Sequence, residues 1–285
     1  MRPAYITPAF LQHFISSAFA EDVGDGDHST LASIPESARG KARLLVKDDG
    51  ILAGVELATE IFKYLDHRLE PEIFIPDGTP VKRGDVAFTV SGFTRSILTA
   101  ERVVLNCMQR MSGIATTTNR LVQLVAGTSA QLLDTRKTTP NFRLLEKWAV
   151  LLGGGHNHRI GLFDMIMLKD NHIDGAGGIE QAINRTKDYL RTAKKDLKVE
   201  IETRNLDEVQ EVLRVGGVDV IMLDNMSLKD MKTAVALING ICKTEASGGI
   251  TEETIRKVAT CGVDYISVGA LTHTVKSLDL SLKML

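Results

Sequence analysis

The chain has 285 residues, of which 44% are hydrophobic and 25% are charged, and its formal net charge is -2. This composition is typical of a globular protein with one large domain or two modest ones. A slightly acidic chain lacks the basic surface that nucleic-acid binding requires, and no apolar run approaches the roughly 18 residues of a membrane span. Three cysteines without close pairs favour a reducing compartment. We therefore expect a cytoplasmic protein with neither a nucleic-acid nor a membrane partner.

The N-terminal part of the chain alternates short helical and strand patterns. Residues 8–20 and 56–69 place apolar side chains at helical spacing. Residues 39–53 predict two short strands around a turn, and residues 76–90 predict a β segment punctuated by glycine. The acidic stretch EDVGDGDHST lacks the closing bidentate Glu of a calcium loop, so we interpret it as a solvated turn.

Residues 97–111 form the clearest amphipathic helix of the sequence. One stripe at helical spacing contains Ile97, Ala100, Val104, Cys107, Met108 and Met111. Arg102 and Asn106 each lie two residues from Val104, about 200° round the helix, so both face away from the stripe. Arg102 is therefore either a solvated surface charge or a group that reaches the site of a partner subunit.

From residue 131 onward, short apolar segments recur, and each ends in a polar residue or glycine. Their sequences are QLLD, MIML, KVEIE, DVIML, KTEA and DYISV. Helical stretches at 178–195, 206–215, 228–238 and 252–261 separate most of them. Repeated strand and helix units are typical of a parallel α/β fold, and polar residues at every strand end favour a barrel with one catalytic mouth. We predict an incomplete parallel α/β barrel with fewer than eight strands; a doubly wound sheet is the alternative.

A basic stretch lies in the first part of this region, between residues 132 and 172. It contains six Lys or Arg and three His against four acids, although the whole chain is slightly acidic. Its basic residues stand in three groups, Arg136-Lys137, His158-Arg159 and Lys169. Buried charges cost several kcal/mol per ion unless they are paired, so such a gathering is a poor way to hold a fold together. It predicts a pocket for a small ligand with several negative charges.

Two acids and two glycine turns also stand at predicted strand ends. Glu202, which shares a strand face with Glu200, and Asp224 are suited to sugar hydroxyls, to Mg²⁺ or to a developing carbocation, or they could merely balance charge. Ser247-Gly248-Gly249 and Gly269-Ala270 follow the last two strands, where backbone N–H groups often bind phosphate in α/β barrels.

Other interpretations of the same residues remain open at this point. Gly153-Gly154-Gly155 could be only a flexible loop. His156 and His158, with Lys169, His172 and Asp224, could be metal ligands as in a metal-dependent hydrolase, although the neighbouring Arg and Lys side chains would repel a cation. An anion-binding or scaffold protein on the same barrel is a non-enzymatic possibility.

The segment LDTRKTTPNFRLLEKWAVLLGGGHNHRIGLFDMIMLKDNH closely resembles the signature region of the quinolinate phosphoribosyltransferases, the carboxylating nicotinate-nucleotide pyrophosphorylases. The resemblance extends to EDVGDGDHST, DGILAGVE, ERVVLNCMQRMSGIATTT, VEIE, IMLDNMS, EASGGI and ISVGALTHT, and so covers nearly the whole chain. It implies an N-terminal α/β sandwich domain at 1–112 with a returning tail at 271–285, and a catalytic barrel domain at 113–270. It also implies a homodimer, or a higher homo-oligomer, with shared active sites.

The resemblance also implies roles for individual residues. Arg136, His158 and Arg159 would bind quinolinate, together with Arg102 from the partner subunit, and Thr135 would be a further substrate-binding residue. Lys137 and Lys169 would lie between quinolinate and the pyrophosphate of phosphoribosyl pyrophosphate, and Glu202 and Asp224 would hold ribose hydroxyls and Mg²⁺. The loops that would bind the 5′-phosphate contain Ser247, Gly248, Gly249, Gly269 and Ala270.

The implied reaction transfers a phosphoribosyl group to quinolinate with loss of CO₂ and gives nicotinate mononucleotide and pyrophosphate for NAD biosynthesis. Lys137, Lys169, Glu202 and Asp224 would be its catalytic residues. Relatives on the same scaffold that use another pyridine acid, or that serve a molybdenum-associated role, are the closest alternative.

Overall fold

The computed structural model describes residues 2–285. Along the chain these residues form α1 (Pro8–Asp22), α2 (His28–Ser33), β1 (Arg39–Val46), β2 (Gly50–Ile51), α3 (Val55–Leu65), β3 (Glu70–Ile73), β4 (Pro80–Val81), β5 (Val86–Phe93), α4 (Thr94–Val125), β6 (Gln131–Leu133), α5 (Arg143–Leu152), β7 (Ile166–Leu168), α6 (Asp170–Ala176), α7 (Ile179–Ala193), β8 (Val199–Thr203), α8 (Leu206–Val215), β9 (Val220–Asp224), α9 (Leu228–Ile238), β10 (Lys243–Ser247), α10 (Ile255–Ala259), β11 (Tyr265–Ser267), α11 (Ala270–His273) and β12 (Leu280–Met284). The elements group into two compact units.

The first unit is built on an antiparallel sheet. It comprises the residues up to Asn119 together with Thr138–Gly154 and Ala270–Leu285. Its four-stranded sheet has the order β12-β1-β5-β3 with antiparallel pairings throughout. The C-terminal strand β12 pairs with β1 from Ala42–Met284 to Val46–Leu280, so the end of the chain forms an edge of this sheet.

Helix α4 carries the apolar stripe that the sequence predicts. All six stripe residues are buried, none more than 5% exposed, whereas Arg102 and Asn106 are exposed. The helix is longer than predicted and extends from Thr94 to Val125. Gly153, which caps α5, lies directly against it: a Cβ there would come 2.4 Å from the carbonyl oxygen of Ala115. The first glycine of Gly153-Gly154-Gly155 is thus required by a close approach of two backbones.

The second unit is built on a parallel sheet. It comprises Arg120–Lys137 and Gly155–Gly269. Its six strands have the order β6-β11-β10-β9-β8-β7 with parallel pairings throughout, and helices connect most of them. The pairings among residues 2–285 leave β6 and β7 at the two edges, and His156 adds a single parallel bridge to Leu133 of β6. The predicted α/β class with fewer than eight parallel strands is confirmed.

Most predicted elements are present, but several helices begin or end at other residues than predicted. Helix α3 ends at Leu65, not at residue 69, because Asp66 has extended backbone and its carboxylate accepts hydrogen bonds from the backbone and side chain of Arg68. Helix α10 spans only Ile255–Ala259. The acidic stretch between α1 and β1 holds the short helix α2, whose N-cap Asp27 accepts from the Thr30 N–H.

The two compact units do not test where the domains begin and end. The domain boundaries predicted from the sequence, 1–112 with 271–285 and 113–270, therefore stay a prediction.

Cys107, Cys242 and Cys261 are not disulfide-bonded. Across residues 2–285, none of the helices combines the length and the apolar character that crossing a membrane demands. The cytoplasmic location stays a prediction.

Candidate active site

The end of strand β6 holds in place the loop that carries one pair of basic residues. Asp134 follows β6 directly and is fully buried. Its carboxylate oxygens accept hydrogen bonds from Asn157 Nδ2 at 2.7 Å and from the His158 backbone N–H at 2.9 Å. The backbones of Asp134 and His156 add a further hydrogen bond. Residues 156–158 are therefore fastened beside β6, and Arg159 follows beyond the carboxyl end of that strand.

Two guanidinium groups approach one another in this region. Burial lowers the pKa of Arg159, and the positive charge of nearby Arg136 lowers it further. Arg159 Nη1 donates to the carbonyl oxygen of Met165 at 3.3 Å. Lys137 is exposed, and its backbone N–H donates to Thr135 Oγ1 at 3.0 Å. Mutually repelling cations create a positive potential that favours an anion between them.

Lys169 and Glu202 form an ion pair across adjacent strands. Lys169 follows β7 and Glu202 lies in β8, and Lys169 Nζ is 2.6 Å from Glu202 Oε1. The Lys169 side chain is 45% exposed and the Glu202 side chain 14% exposed, so the pair opens to solvent on its Lys169 side. Two of the predicted site residues are thus in direct contact.

The ends of strands β9 and β10 also lie side by side. Asp224 and Ser247 are the last residues of these strands and are paired in register. Asn225 links the two strand ends, because its side chain donates to Asp224 Oδ2 at 2.7 Å and its backbone N–H to the Ser247 carbonyl at 2.9 Å. An acid and a glycine turn are therefore adjacent at the carboxyl end of the sheet.

The glycine turn itself requires glycine at two positions. Gly248 has φ +92° and Gly249 has φ +59°, both in the left-handed region that side chains disfavour. A Cβ at Gly248 would lie 2.2 Å from Asn225 Oδ1, whereas a Cβ at Gly249 would meet no atom within 4 Å. The two positions thus share backbone strain but differ in the space available.

This difference gives a matched pair of variants. Gly249→Ala should cost about 1–2 kcal/mol of unfolding free energy from backbone strain alone. Gly248→Ala should cost more, because its methyl group must also displace the Asn225 side chain from Asp224. Chemical denaturation of both variants tests the order, and equal losses would contradict it. If the turn binds a phosphate of the substrate, Gly248→Ala should also raise the KM for that substrate more than Gly249→Ala does.

The second predicted glycine turn follows strand β11. The Val268 N–H donates to the Leu133 carbonyl at 3.0 Å, so Gly269 emerges next to the end of β6. Gly269 belongs to the second unit, while Ala270 begins α11 and is grouped with the first.

A buried cluster joins His158 to two glutamates. The His158 side chain is 7% exposed, and Glu200 and Glu245 are each 1% exposed. His158 Nε2 lies 2.9 Å from Glu200 Oε2 and 3.5 Å from Glu245 Oε2. Burial raises the pKa of both carboxyl groups to about 8, and the charge of the neighbouring Glu200 adds to the rise at Glu245.

The alternative of a metal-dependent hydrolase fits this cluster poorly. Among residues 2–285, the candidate ligand group consists of His158, Glu200 and Glu245, while His156 is exposed and takes no part in it. The cationic Arg159 is also close enough to act on Glu200.

Two further predicted residues lie outside these clusters. Arg102 is exposed on α4 in the first unit, with Nη1 3.5 Å from Asn106 Oδ1. His172 acts as a helix-capping residue, because its Nδ1 accepts the Lys169 backbone N–H at 3.0 Å at the start of α6. His172 thereby holds the backbone that carries Lys169.

Sequence reasoning missed Asp134, Asn157 and Glu245 as parts of the site. The signal for two of them was present: Asp134 and Glu245 are acids attached to or within short strands that are mostly buried. An acid in such a place must have a partner or a raised pKa, since an isolated buried charge is costly.

In the second unit, basic residues, acids and glycine turns gather at the carboxyl ends of one set of parallel strands. A site of this kind at the mouth of a parallel α/β fold defines an enzyme for small, strongly anionic substrates.

Comparisons with known proteins give the family. The model of the quinolinate phosphoribosyl transferase C-terminal domain matches residues 114–283, and that of the N-terminal domain matches residues 27–112. This chain therefore belongs to the quinolinate phosphoribosyltransferase family.

Individual relatives agree with the family models. The chain is 49% identical to the chloroplastic nicotinate-nucleotide pyrophosphorylase [carboxylating] of Oryza sativa subsp. japonica, over 96% of this chain and 77% of that protein. It is 42% identical to a probable nicotinate-nucleotide pyrophosphorylase [carboxylating] of Synechocystis, over 99% of this chain and 94% of that protein. The crystal structure of NadC from Streptococcus pyogenes superposes with a TM-score of 0.92 at 40% identity, covering 98% of this chain and 99% of that one. The family predicted from the sequence motifs is confirmed, and with it the enzyme class, a decarboxylating pentosyltransferase.

Proposed function

We propose that this protein transfers the phosphoribosyl group of phosphoribosyl pyrophosphate to quinolinate and releases pyrophosphate, CO₂ and nicotinate mononucleotide. The observation that carries the proposal is the gathering of Arg136, Arg159 and the Lys169–Glu202 pair at one end of the parallel sheet. Quinolinate has two carboxylates, and the second substrate has a phosphate and a pyrophosphate. Such ligands require a pocket with several cations.

Quinolinate is the substrate that the two guanidinium groups suit. The charge of Arg136 lowers the pKa of Arg159, so the two guanidinium groups are near enough to interact. A carboxylate placed between them would remove this repulsion, and each planar guanidinium can hold a carboxylate through two hydrogen bonds. Thr135 and Lys137 are the sequence neighbours of Arg136, and the Lys137 backbone N–H donates to Thr135 Oγ1. We assign Thr135, Arg136, His158 and Arg159 to the quinolinate subsite.

Phosphoribosyl pyrophosphate suits the neighbouring strand ends. The turns at Ser247-Gly248-Gly249 and Gly269-Ala270 offer backbone N–H groups to its 5′-phosphate. Lys137 and Lys169 would neutralise the pyrophosphate, and Glu202 and Asp224 would hold the ribose hydroxyls. Carboxylate oxygens are also the donors that Mg²⁺ prefers, so these two acids fit a Mg²⁺ ion that accompanies the pyrophosphate and offsets its charge.

The chemistry needs no covalent nucleophile. The pyridine nitrogen of quinolinate forms a bond to the anomeric carbon of the ribose, and the bond from that carbon to pyrophosphate breaks. Positive charge builds up on the ribose as the bonds change, and the carboxylate of Glu202 or Asp224 stabilises it. The new pyridinium then accepts the electron pair of the adjacent C–CO₂⁻ bond as CO₂ leaves, and the ring carbon takes up a proton. The protein supplies positioning and charge neutralisation.

Incubation of the purified protein with quinolinate, phosphoribosyl pyrophosphate and Mg²⁺ tests the proposal. We expect equal amounts of nicotinate mononucleotide, pyrophosphate and CO₂, with ¹⁴CO₂ released from quinolinate labelled in the 2-carboxylate. Omission of either substrate should abolish all three products. A protein that binds both substrates without forming product would contradict the proposal.

Shared active sites in a homodimer give a prediction for Arg102. This side chain is exposed and lies on the face of α4 opposite its buried stripe. An exposed Arg contributes under about 1 kcal/mol to stability even when it is ion-paired. As a clamp on a substrate carboxylate in a partner's site it would matter much more. Arg102→Ala should therefore raise the KM for quinolinate or lower kcat with little change in melting temperature.

Mixing two inactive variants tests whether Arg102 acts in the partner's active site or in that of its own subunit. Arg102→Ala and Lys137→Ala should each be nearly inactive alone, and a mixed dimer should contain one site free of both changes. Random exchange of subunits should then restore about a quarter of wild-type activity. Exchange is verified by pulling down untagged chains with tagged ones. The control is Arg120→Ala, also exposed on α4 but paired with Glu252, which should keep full activity alone. Verified mixed dimers without recovered activity would contradict a role for Arg102 across the interface.

A further inference from the structure

Both nitrogens of the His158 ring lie close to other groups of the protein. Nδ1 accepts the backbone N–H of Arg159 at 2.7 Å. An accepting Nδ1 carries no proton, so the proton of a neutral ring is on Nε2. Nε2 points into the protein, 2.9 Å from Glu200 Oε2 and 3.5 Å from Glu245 Oε2. The ring therefore connects the backbone of Arg159 to two buried carboxyl groups.

The two carboxyl groups come from strands that are not neighbours. Glu200 lies in β8 and pairs with Val220 of β9, while Glu245 lies in β10 and pairs with Met222 of β9. Val220 and Met222 are two residues apart, so both glutamates lie on the same face of the sheet. Met222 also pairs with Glu202, which places Glu245 in the same row as that site residue and Glu200 one row deeper.

Stability alone does not account for acids in these positions. Both are 1% exposed, and Glu200 Oε1 and Glu245 Oε1 are buried without a hydrogen-bond partner. Each unsatisfied buried oxygen destabilises the folded state, and an apolar side chain of similar size would avoid that cost. The feature that the two acids share is their approach to His158.

We infer that Glu245, together with Glu200, is a positioning residue that orients the His158 ring and, through its Nδ1, the backbone of Arg159 at the quinolinate subsite. This inference rests on the proposed function. Three contacts support this inference. The glutamates lie beside Nε2, Nδ1 accepts a hydrogen bond from the Arg159 N–H, and the Asp134 carboxylate accepts one from the His158 N–H. The backbone N–H groups of His158 and Arg159 are both hydrogen-bonded, so the Arg159 guanidinium extends from a fixed segment of backbone.

The test compares two substitutions of Glu245 that differ in one property. Glu245→Met keeps the approximate volume but removes the oxygen that faces His158, and Glu245→Gln keeps an oxygen acceptor. Glu245→Met should raise the KM for quinolinate about tenfold, because the ring loses one of the two carboxyl groups that orient it, and leave the KM for phosphoribosyl pyrophosphate unchanged. Glu245→Gln should restore the quinolinate KM to near the wild-type value. The melting temperature of Glu245→Met should be equal to or above that of the wild type.

A control on the same strand separates positioning from general destabilisation. Thr244 is adjacent to Glu245, so its side chain is on the other face of β10, where its hydroxyl hydrogen-bonds with Asp264 at 2.9 Å. Thr244→Val should lower the melting temperature and leave both KM values unchanged. The inference is overturned if Glu245→Met leaves the quinolinate KM unchanged, raises both KM values equally, or behaves like Thr244→Val.

Nuclear magnetic resonance of the imidazole nitrogens provides a readout that does not depend on turnover. In the wild-type protein, His158 should show a protonated Nε2 and an unprotonated Nδ1, and Glu245→Met should change the Nε2 signal. If the wild-type enzyme forms no product from quinolinate, the proposed function fails, while the His158 signals still test the positioning. A metal bound stoichiometrically by the wild type and absent from Glu245→Gln would overturn the inference, because the cluster would then be a metal site.

Discussion

Nicotinate should be a poorer substrate than quinolinate by about a thousandfold or more in kcat/KM. It differs from quinolinate only by the absence of the 2-carboxylate. The charge of Arg136 acts on Arg159 and lowers its pKa, so the two cations belong to one pocket. A ligand with one carboxylate would leave one of these cations without its partner in a desolvated site, which costs a few kcal/mol. Pyrophosphate release with each acid, at saturating phosphoribosyl pyrophosphate, measures the ratio.

The preference for quinolinate over nicotinate should depend on the guanidinium groups themselves. Arg159→Lys keeps a positive charge but loses the planar fork, so it should reduce the activity with quinolinate far more than the residual activity with nicotinate. Pyridine-2-carboxylate, which lacks the 3-carboxylate, provides the complementary comparison and should also be a poor substrate. Similar catalytic efficiencies for nicotinate and quinolinate would show that two carboxylates are not what the pocket recognises.

Loss of either member of the Lys169–Glu202 pair should lower kcat by about a hundredfold or more. Lys169 would neutralise the departing pyrophosphate, and Glu202 would stabilise positive charge on the ribose. Stability should change little, because the Lys169 side chain is 45% exposed and such ion pairs contribute about 0–1 kcal/mol. Lys169→Met and Glu202→Gln, analysed by single-turnover kinetics and by thermal unfolding, separate the two effects. A melting temperature that falls sharply while activity per folded molecule persists would mean that the pair is structural.

The same unit contains a matched control pair at the opposite end of its sheet. Lys243 Nζ lies 2.7 Å from Asp264 Oδ1, with 59% of the Lys243 side chain exposed. Lys243 is the first residue of β10, so this pair lies at the amino end of the strand, away from the proposed site. Lys243→Met should therefore leave kcat unchanged. The double variant Lys169→Met/Glu202→Gln should be less impaired than the product of the two single effects, because the two residues are in contact.

Several features of the site were predictable because they depend on local pattern. A short apolar run that ends in a polar residue defines both a buried strand and the end that carries chemistry, and this placed Lys169, Glu202 and Asp224 correctly at strand ends. The helical stripe on α4 likewise predicted that Arg102 is exposed. The roles of these residues in binding and catalysis stay predictions.

Other features could not be predicted because they depend on which strands become neighbours. Glu245 belongs to a strand two positions away from that of Glu200, and only the sheet order brings both beside His158. The sequence could not show that both ring nitrogens of His158 lie next to protein groups, and the role of His158 in substrate binding stays a prediction. Asp134 lies in the signature region of the sequence, and only the structure shows that its carboxylate accepts hydrogen bonds from the Asn157 side chain and the His158 backbone.

The sequence by itself determined the family, the α/β class and the strand ends that carry the basic and acidic residues. These follow from motifs and from side-chain periodicity, both of which are properties of short segments. Only the tertiary structure decided that β12 completes a sheet with β1, that the parallel sheet has β6 and β7 at its edges, and that two buried glutamates meet one histidine. The physical reason is that strand order and side-chain contacts between strands minimise the free energy of the whole chain, and no short segment contains that information.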